Sequence, residues 1–181
     1  MKTALLIIDI QQGFDNPFWG QRNNPDAEVN AERLLHHWRE KQWPVVHIQH
    51  ASTHPESPLH PDQPGFAYKQ AVSPAPGEQQ FQKHVNSAFI GTSLEDYLNQ
   101  QNITHLVIVG LTTDHCVSTT TRMAGNLGFE VTLVGDATAT FDREYEGHYY
   151  SAEDIHQHHC LSLDGEFCTL TTTDQIIQSS S

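Results

Sequence analysis

The stretch Leu106-Val107-Ile108-Val109-Gly110-Leu111-Thr112-Thr113-Asp114-His115-Cys116-Val117 joins an apolar run to a thiol. Leu106 to Val109 reads as a buried strand. Ser118 to Leu127 reads as a helix, so Cys116 falls at a strand-to-helix turn, about where a first helical turn begins. Backbone N–H groups are unpaired there and the helix dipole favours negative charge. Thiolates are stabilised in such a place, and the thiolate is the nucleophilic form. The other reading of the position is a small buried cysteine, the commoner fate of a free thiol. Partners elsewhere in the chain have to decide between the two.

Working outward, residues 4–8 form an apolar run ended by Asp9, which suits a buried parallel strand. Residues 10–25 are rich in Gln, Asn, Gly and Pro and read as loop. Asp26 is placed to cap a helix through Ala27, Val29, Leu34, Leu35 and Trp38. Val45-Val46-His47-Ile48 is a second strand. Residues 50–80 read as one long loop, a length that is usually functional inside a compact domain. Residues 92–101 look helical, with Thr92 or Ser93 as cap. The third strand is 105–110 and the fourth is Glu130 to Val134, with Asp136 to Thr140 a loop at its end. Ser151 opens a further helix with a capping-box pattern. Phe167 to Leu170 is a fifth strand and Thr173 to Ile177 a short helix, and Ser179 to Ser181 are expected to fray.

This alternation predicts an α/β fold, a three-layer α-β-α arrangement around a mostly parallel central sheet. Ligands of such sheets bind beyond the carboxyl ends of the strands. Asp9, Gln49, Cys116 and Asp136 all fall on that edge, although polar residues begin at strand ends in any case.

The 181 residues suit one domain, 1–181, with a single sizeable core. Nine Lys and Arg against 22 Asp and Glu leave a formal charge of −13. Such a surface repels nucleic acid and anionic lipid, so neither is an expected partner. The three cysteines, Cys116, Cys160 and Cys168, make no CxxC pair, which argues against a disulfide framework and for a reducing compartment. The apolar run at the N-terminus is too short to span a membrane. A cytoplasmic location follows as the expectation.

A thiol nucleophile needs a base to take its proton and donors for the developing negative charge. Asp9, a partly desolvated carboxylate at a strand end, is a candidate base; a cap or salt-bridge role is its alternative. Lys83 is the candidate cation. Between thiol and carboxylate it would lower the thiol pKa and hold the carboxylate, whereas alone it is an ordinary surface lysine. Phe14, Trp19 and Phe89 are candidate apolar walls for a small-molecule pocket, or else core or lid packing. His115 adjoins Cys116, but adjacent helical residues do not face each other, and it is left outside the constellation. His156, His158, His159 and Cys160 match no familiar metal spacing and read as structural or interfacial.

Several further segments, taken in order, carry a resemblance. They are Leu6-Ile7-Ile8-Asp9-Ile10-Gln11 with Phe14, and Val46-His47-Ile48-Gln49-His50. Lys83 with Asn86-Ser87-Ala88-Phe89 follows, then Gly110-Leu111-Thr112-Thr113 with Cys116-Val117. Gly135-Asp136-Ala137-Thr138-Ala139-Thr140 and Glu166-Phe167 with Thr172-Thr173-Asp174 complete the set. Together they resemble the isochorismatase-like cysteine hydrolases, a superfamily that includes nicotinamidases, N-carbamoylsarcosine amidases and ureidoacrylate hydrolases.

The resemblance implies an Asp–Lys–Cys triad on Asp9, Lys83 and Cys116, with a thioester intermediate in the cleavage of a C–N bond of a small amide or ureido compound. It implies a cis Leu111–Thr112 bond that brings the N–H groups of Thr112 and Cys116 together as an oxyanion hole. It places Gln49 at a substrate-binding position and suggests a homo-oligomer, dimer or tetramer. Some relatives hold a divalent metal through an Asp-x-His pair after the second strand. Here that place reads Gln49-His50-Ala51-Ser52, without a carboxylate, and His54 and His60 do not restore the motif. No metal and no other cofactor is expected, and nicotinamidase itself is disfavoured. Two other readings stand beside the amidohydrolase: vinyl-ether hydrolysis, which needs no thiol, and a non-catalytic scaffold that keeps the fold.

Overall fold

A computed structural model describes residues 2–179. Ser180 and Ser181 lie outside the described residues, and Ser179 closes the last helix. The order of elements is β1 (Thr3–Ile8), α1 (Ala27–Glu40), β2 (Val45–His50), β3 (Gln79–Lys83), α2 (Leu94–Gln100), β4 (His105–Leu111), α3 (Ser118–Asn126), β5 (Glu130–Ala139), β6 (Arg143–Tyr145), β7 (His148–Tyr150), α4 (Ala152–Leu163), β8 (Thr169–Thr171) and α5 (Thr173–Ser179).

Six strands form one sheet in the order β3-β2-β1-β4-β5-β8. Every pairing in it is parallel. Strands buried on both faces need continuous apolar runs, and β1 and β4 supply them. Successive side chains of a strand point to opposite faces. Ala4, Leu6 and Ile8 therefore enter one core with Leu94, Leu98, Ala124 and Leu163 from α2, α3 and α4. Leu5 and Ile7 enter the other with Leu34, Leu35 and Trp38 of α1, against which Ile176 and Ile177 of α5 pack. The result is the expected three-layer α-β-α arrangement.

The chain runs outward from β1 through β2 to β3, then returns to β4 on the other side of β1. The crevice beyond the ends of β1 and β4 is therefore the switch point where doubly wound sheets bind ligands. Asp9 follows β1 and Cys116 follows β4 at that place. The close approach of these strands depends on Gly110. Its φ is +130°, and a Cβ there would stand 2.0 Å from the carbonyl oxygen of Ile8. We expect Gly110→Ala to destabilise the fold by about 3 kcal/mol or more, read as a lowered urea midpoint. A wild-type midpoint would mean that β1 and β4 can part without cost.

Four segments depart from the sequence reading. Residues 50–80 are not one loop. They are folded by 3₁₀ turns at Pro64–Phe66 and Gln70–Val72, and they end in the edge strand β3, which carries Lys83. Polar Gln79, Gln80 and Gln82 hide that strand because only Phe81 and Lys83 point inward. β5 continues through Asp136 to Ala139, past a register shift opposite β4, so the loop expected there is strand. Residues 143–150 form an antiparallel hairpin apart from the main sheet. Finally, Thr113–Val117 winds into a single π-helical turn ahead of α3, which starts at Ser118 as expected. At the other helices, Ser151 caps α4 by accepting from the Asp154 N–H at 3.1 Å. Asp26 precedes α1 without a side-chain cap bond.

Candidate active site

At the end of β1 the backbone turns sharply. Asp9 takes a φ of 51°, and its N–H donates to the Ile48 carbonyl at 3.0 Å. This directs the carboxylate under the sheet edge, where it is fully buried. Lys83, at the end of β3, is buried as completely. Its Nζ donates to Asp9 Oδ2 at 2.6 Å, to Cys116 Sγ at 3.2 Å and to His50 Nδ1 at 3.0 Å. The other carboxylate oxygen of Asp9 is buried without a hydrogen-bond partner. Asn86 Oδ1 stands 3.9 Å from Sγ. Three residues far apart in sequence thus meet at the switch point.

Burial is the largest influence on the Cys116 thiol and pushes its pKa up. The Asp9 carboxylate pushes the same way, and Lys83 opposes both without prevailing. Burial works against the Lys83 ammonium too, but Asp9 and Cys116 hold its pKa above the ordinary value. Burial and Asp9 thus favour the protonated thiol, while the partners of Lys83 favour its charged form. Lys83 pulls the thiol in the expected direction, toward the thiolate, but burial outweighs it. The cysteine precedes α3 rather than opening it, and a thiolate would put a second anion beside Asp9.

A cavity of about 110 Å³ opens over the sulfur, lined by Phe14, Trp19, His50, Leu59, Asn86, Thr112, His115, Cys116, Phe141 and Arg143. It is far smaller than an ordinary ligand pocket of roughly 300–1,000 Å³. Phe14, Trp19 and Phe141 form one aromatic wall: Phe14 lies 5.1 Å from Trp19 and 6.2 Å from Phe141, centroid to centroid. Arg143, also in the lining, donates to Asp114 at 2.7 Å, and Asp114 accepts from the Thr140 hydroxyl as well. Although burial opposes it, these partners and His115 keep the Asp114 carboxyl below its usual range, so Arg143 is anchored at the rim.

Two residues expected against substrate lie elsewhere. Gln49 is buried and holds the long segment in place, donating to the Phe66 carbonyl at 2.8 Å and accepting from Gln82 at 3.2 Å. Phe89 stacks on Phe129, centroids 5.9 Å apart, against the core that the sheet shares with α2, α3 and α4. Neither is among the cavity's lining residues. Phe14 and Trp19 are, as is Thr112, which follows a cis Leu111–Thr112 bond. The Thr112 carbonyl accepts from the N–H groups of His115 and Val117, which winds the π turn that presents Cys116.

His50, Asn86, Phe141 and Arg143 line the cavity but were not singled out from the sequence as substrate contacts. His50 ends β2, so the strand-end rule that found Asp9 could have found it. The position of Arg143 depends on Asp114, 29 residues away, which no local pattern reports. The histidine-rich α4 contributes one structural contact to the site. Buried His156 bonds the Thr113 hydroxyl at 2.9 Å, tying α4 to the π turn. Among the described residues, the one group of potential metal ligands is Asp9, His50 and Cys116, within 4.8 Å of one another. The ammonium of Lys83 already sits against all three. His54 and His60 do not join them, so the divalent-metal arrangement of some relatives does not fit these residues.

The profile of the isochorismatase domain family matches residues 3–175. This chain belongs to the isochorismatase family. It is 52% identical over 177 residues to an isochorismatase-family protein, YrdC, of Bacillus subtilis, covering 97% of this chain and 95% of that one. A solved isochorismatase-family structure from Chromobacterium violaceum superposes with a TM-score of 0.95 at 44% identity, covering 98% of this chain and 93% of that one. The maleamate amidohydrolase of Pseudomonas putida is 28% identical over 98% of this chain and 86% of its own length. The family membership makes the protein an isochorismatase-family hydrolase.

Proposed function

We propose that this hydrolase cleaves the C–N bond of a small amide or ureido compound through a thioester on Cys116. The observation that carries the reading is the buried ammonium of Lys83 bridging Asp9 and Cys116 beneath a small cavity. Asp9 accepts the thiol proton as Sγ attacks the carbonyl carbon. The N–H groups of Thr112 and Cys116 receive the oxyanion. Asp9 returns the proton to the departing nitrogen, and ammonia or an amine leaves. Water then adds to the thioester, giving a proton to Asp9. Collapse releases the acid, and the proton returns to the sulfur. Lys83 stabilises the thiolate wherever it forms.

The cavity also supports a substrate class. The chain is strongly acidic, yet no carboxylate lines the cavity, while Arg143, His50 and His115 do. A small amide that also carries an anionic group suits a lining that holds both an aromatic wall and a guanidinium. Maleamate amidohydrolase among the relatives is consistent with that class. The test is ammonia release from matched amides with and without a carboxylate. We expect the carboxylated member of each pair to be preferred. Arg143→Met should lower its kcat/KM by roughly 10–100-fold, the worth of one charge-assisted hydrogen bond, and leave the neutral amide nearly unchanged. Equal losses on both would reduce Arg143 to a partner of Asp114.

The proposal includes a homo-oligomer, dimer or tetramer, and a cytoplasmic location. The three free cysteines are consistent with the second; separately, no helix among the described residues is long and apolar enough to cross a membrane.

A further inference from the structure

We propose that His50 is a further substrate-contacting residue, held by Lys83 as the neutral Nε2–H tautomer and donating that hydrogen bond into the cavity. The inference rests on the amidohydrolase reading for the identity of the ligand, but the tautomer follows from geometry alone. An ammonium carries three donors and no acceptor. Lys83 Nζ has three neighbours within hydrogen-bond reach: Asp9 Oδ2, Cys116 Sγ and His50 Nδ1. The contact at 3.0 Å requires a lone pair on Nδ1, so the proton of the imidazole sits on Nε2. The three donors of the lysine are then fully engaged, and none is left for substrate while those contacts hold.

The ring is also locked in place. The Gln11 side chain accepts from the His50 N–H at 2.8 Å and donates to the His50 carbonyl at 3.2 Å. That pins the backbone at the end of β2, and Lys83 pins one edge of the ring. The residue lines the cavity, and among the described residues no hydrogen bond engages Nε2. Charged and titratable neighbours are Lys83, Asp9, Cys116 and His84. A second proton on His50 would lose the Nδ1 contact and set two cations against each other, so the ring stays neutral. The lysine thus stabilises sulfur on one side and fixes, on another, the donor that meets the substrate. An acceptor beside the scissile carbonyl, as in a ureido group or a neighbouring carboxylate, is the chemistry it would recognise.

Two measurements test this. In isotope-labelled protein near neutral pH, nitrogen NMR should show His50 protonated on Nε2 and bare on Nδ1. An Nδ1–H tautomer or an imidazolium overturns the inference, whatever the substrate proves to be. The second compares His50→Asn with His50→Gln in kcat/KM on the best amide of the panel. Asn retains an acceptor near Nδ1 but no donor at the Nε2 position, whereas Gln can place an amide N–H there. We expect the Asn variant to lose roughly 10–100-fold and the Gln variant to recover part of that loss. Alkylation of Cys116 by a small neutral reagent should stay near the wild-type rate in the Asn variant. A folded Asn variant with undiminished kcat/KM overturns the substrate contact. Absence of ammonia release by the wild type from every amide would instead defeat the amidohydrolase reading and leave the tautomer measurement standing.

Discussion

A Cys116→Ala enzyme is expected to turn over the best amide at least about 10³-fold more slowly than the wild type, with its melting temperature nearly unchanged. The residue is only 8% exposed and belongs to the core beside the sheet, but its sulfur also faces a cavity, so the substitution removes one atom at the edge of the packing. No other thiol can substitute, because Cys160 and Cys168 pack elsewhere, in α4 and ahead of β8. Full turnover in the variant would sink the thioester route and favour vinyl-ether hydrolysis. The wild-type sulfur makes a second expectation measurable. Burial and Asp9 raise its pKa against the pull of Lys83. The thiolate fraction, and with it the rate of alkylation, should therefore climb roughly tenfold per pH unit through about pH 9. A plateau near neutral pH would mean that the resting site is a thiolate–ammonium pair.

The other large effect is expected from Lys83→Met. Lys83 and Asp9 are both fully buried, and their ion pair spans 2.6 Å. Removing one partner of such a pair leaves an uncompensated charge in the interior, at a cost of about 3–5 kcal/mol. The variant should unfold at a markedly lower urea concentration and release no measurable ammonia. Adding Asp9→Asn should restore much of the stability, since the orphaned charge is gone, and none of the activity. A single variant as stable as the wild type would show that the Asp9 charge is compensated by something other than Lys83. A double variant that regained activity would remove both residues from the chemistry.

The fold was legible because its strongest signals are local. Apolar runs at Ala4–Ile8 and Leu106–Val109 can only be strands covered on both faces, and the alternation of strand with helix leaves one common architecture. What local signals missed was of one kind. β3 is an edge strand whose outward glutamines carry no apolar pattern, so Lys83 read as the end of a loop. Gln49 and Phe89 were sensible candidates by position and by residue type. Which way each side chain turns, though, depends on Phe66, Gln82 and Phe129 rather than on its own neighbours in sequence. In sequence His50 stands only at the place of a metal motif, and its contact with Lys83 exists because β2 and β3 lie side by side.

By itself, then, the order of residues determined the layered parallel sheet, the edge on which chemistry collects, and the acid, ammonium and sulfur that gather there. Only tertiary structure decided which groups act on that sulfur, the walls of the cavity above it and the contact that orients the histidine beside it. The physical reason is range. Burial periodicity is written within a few residues, whereas a pKa or a hydrogen-bond partner depends on groups brought within a few ångströms from 33 to 74 positions away.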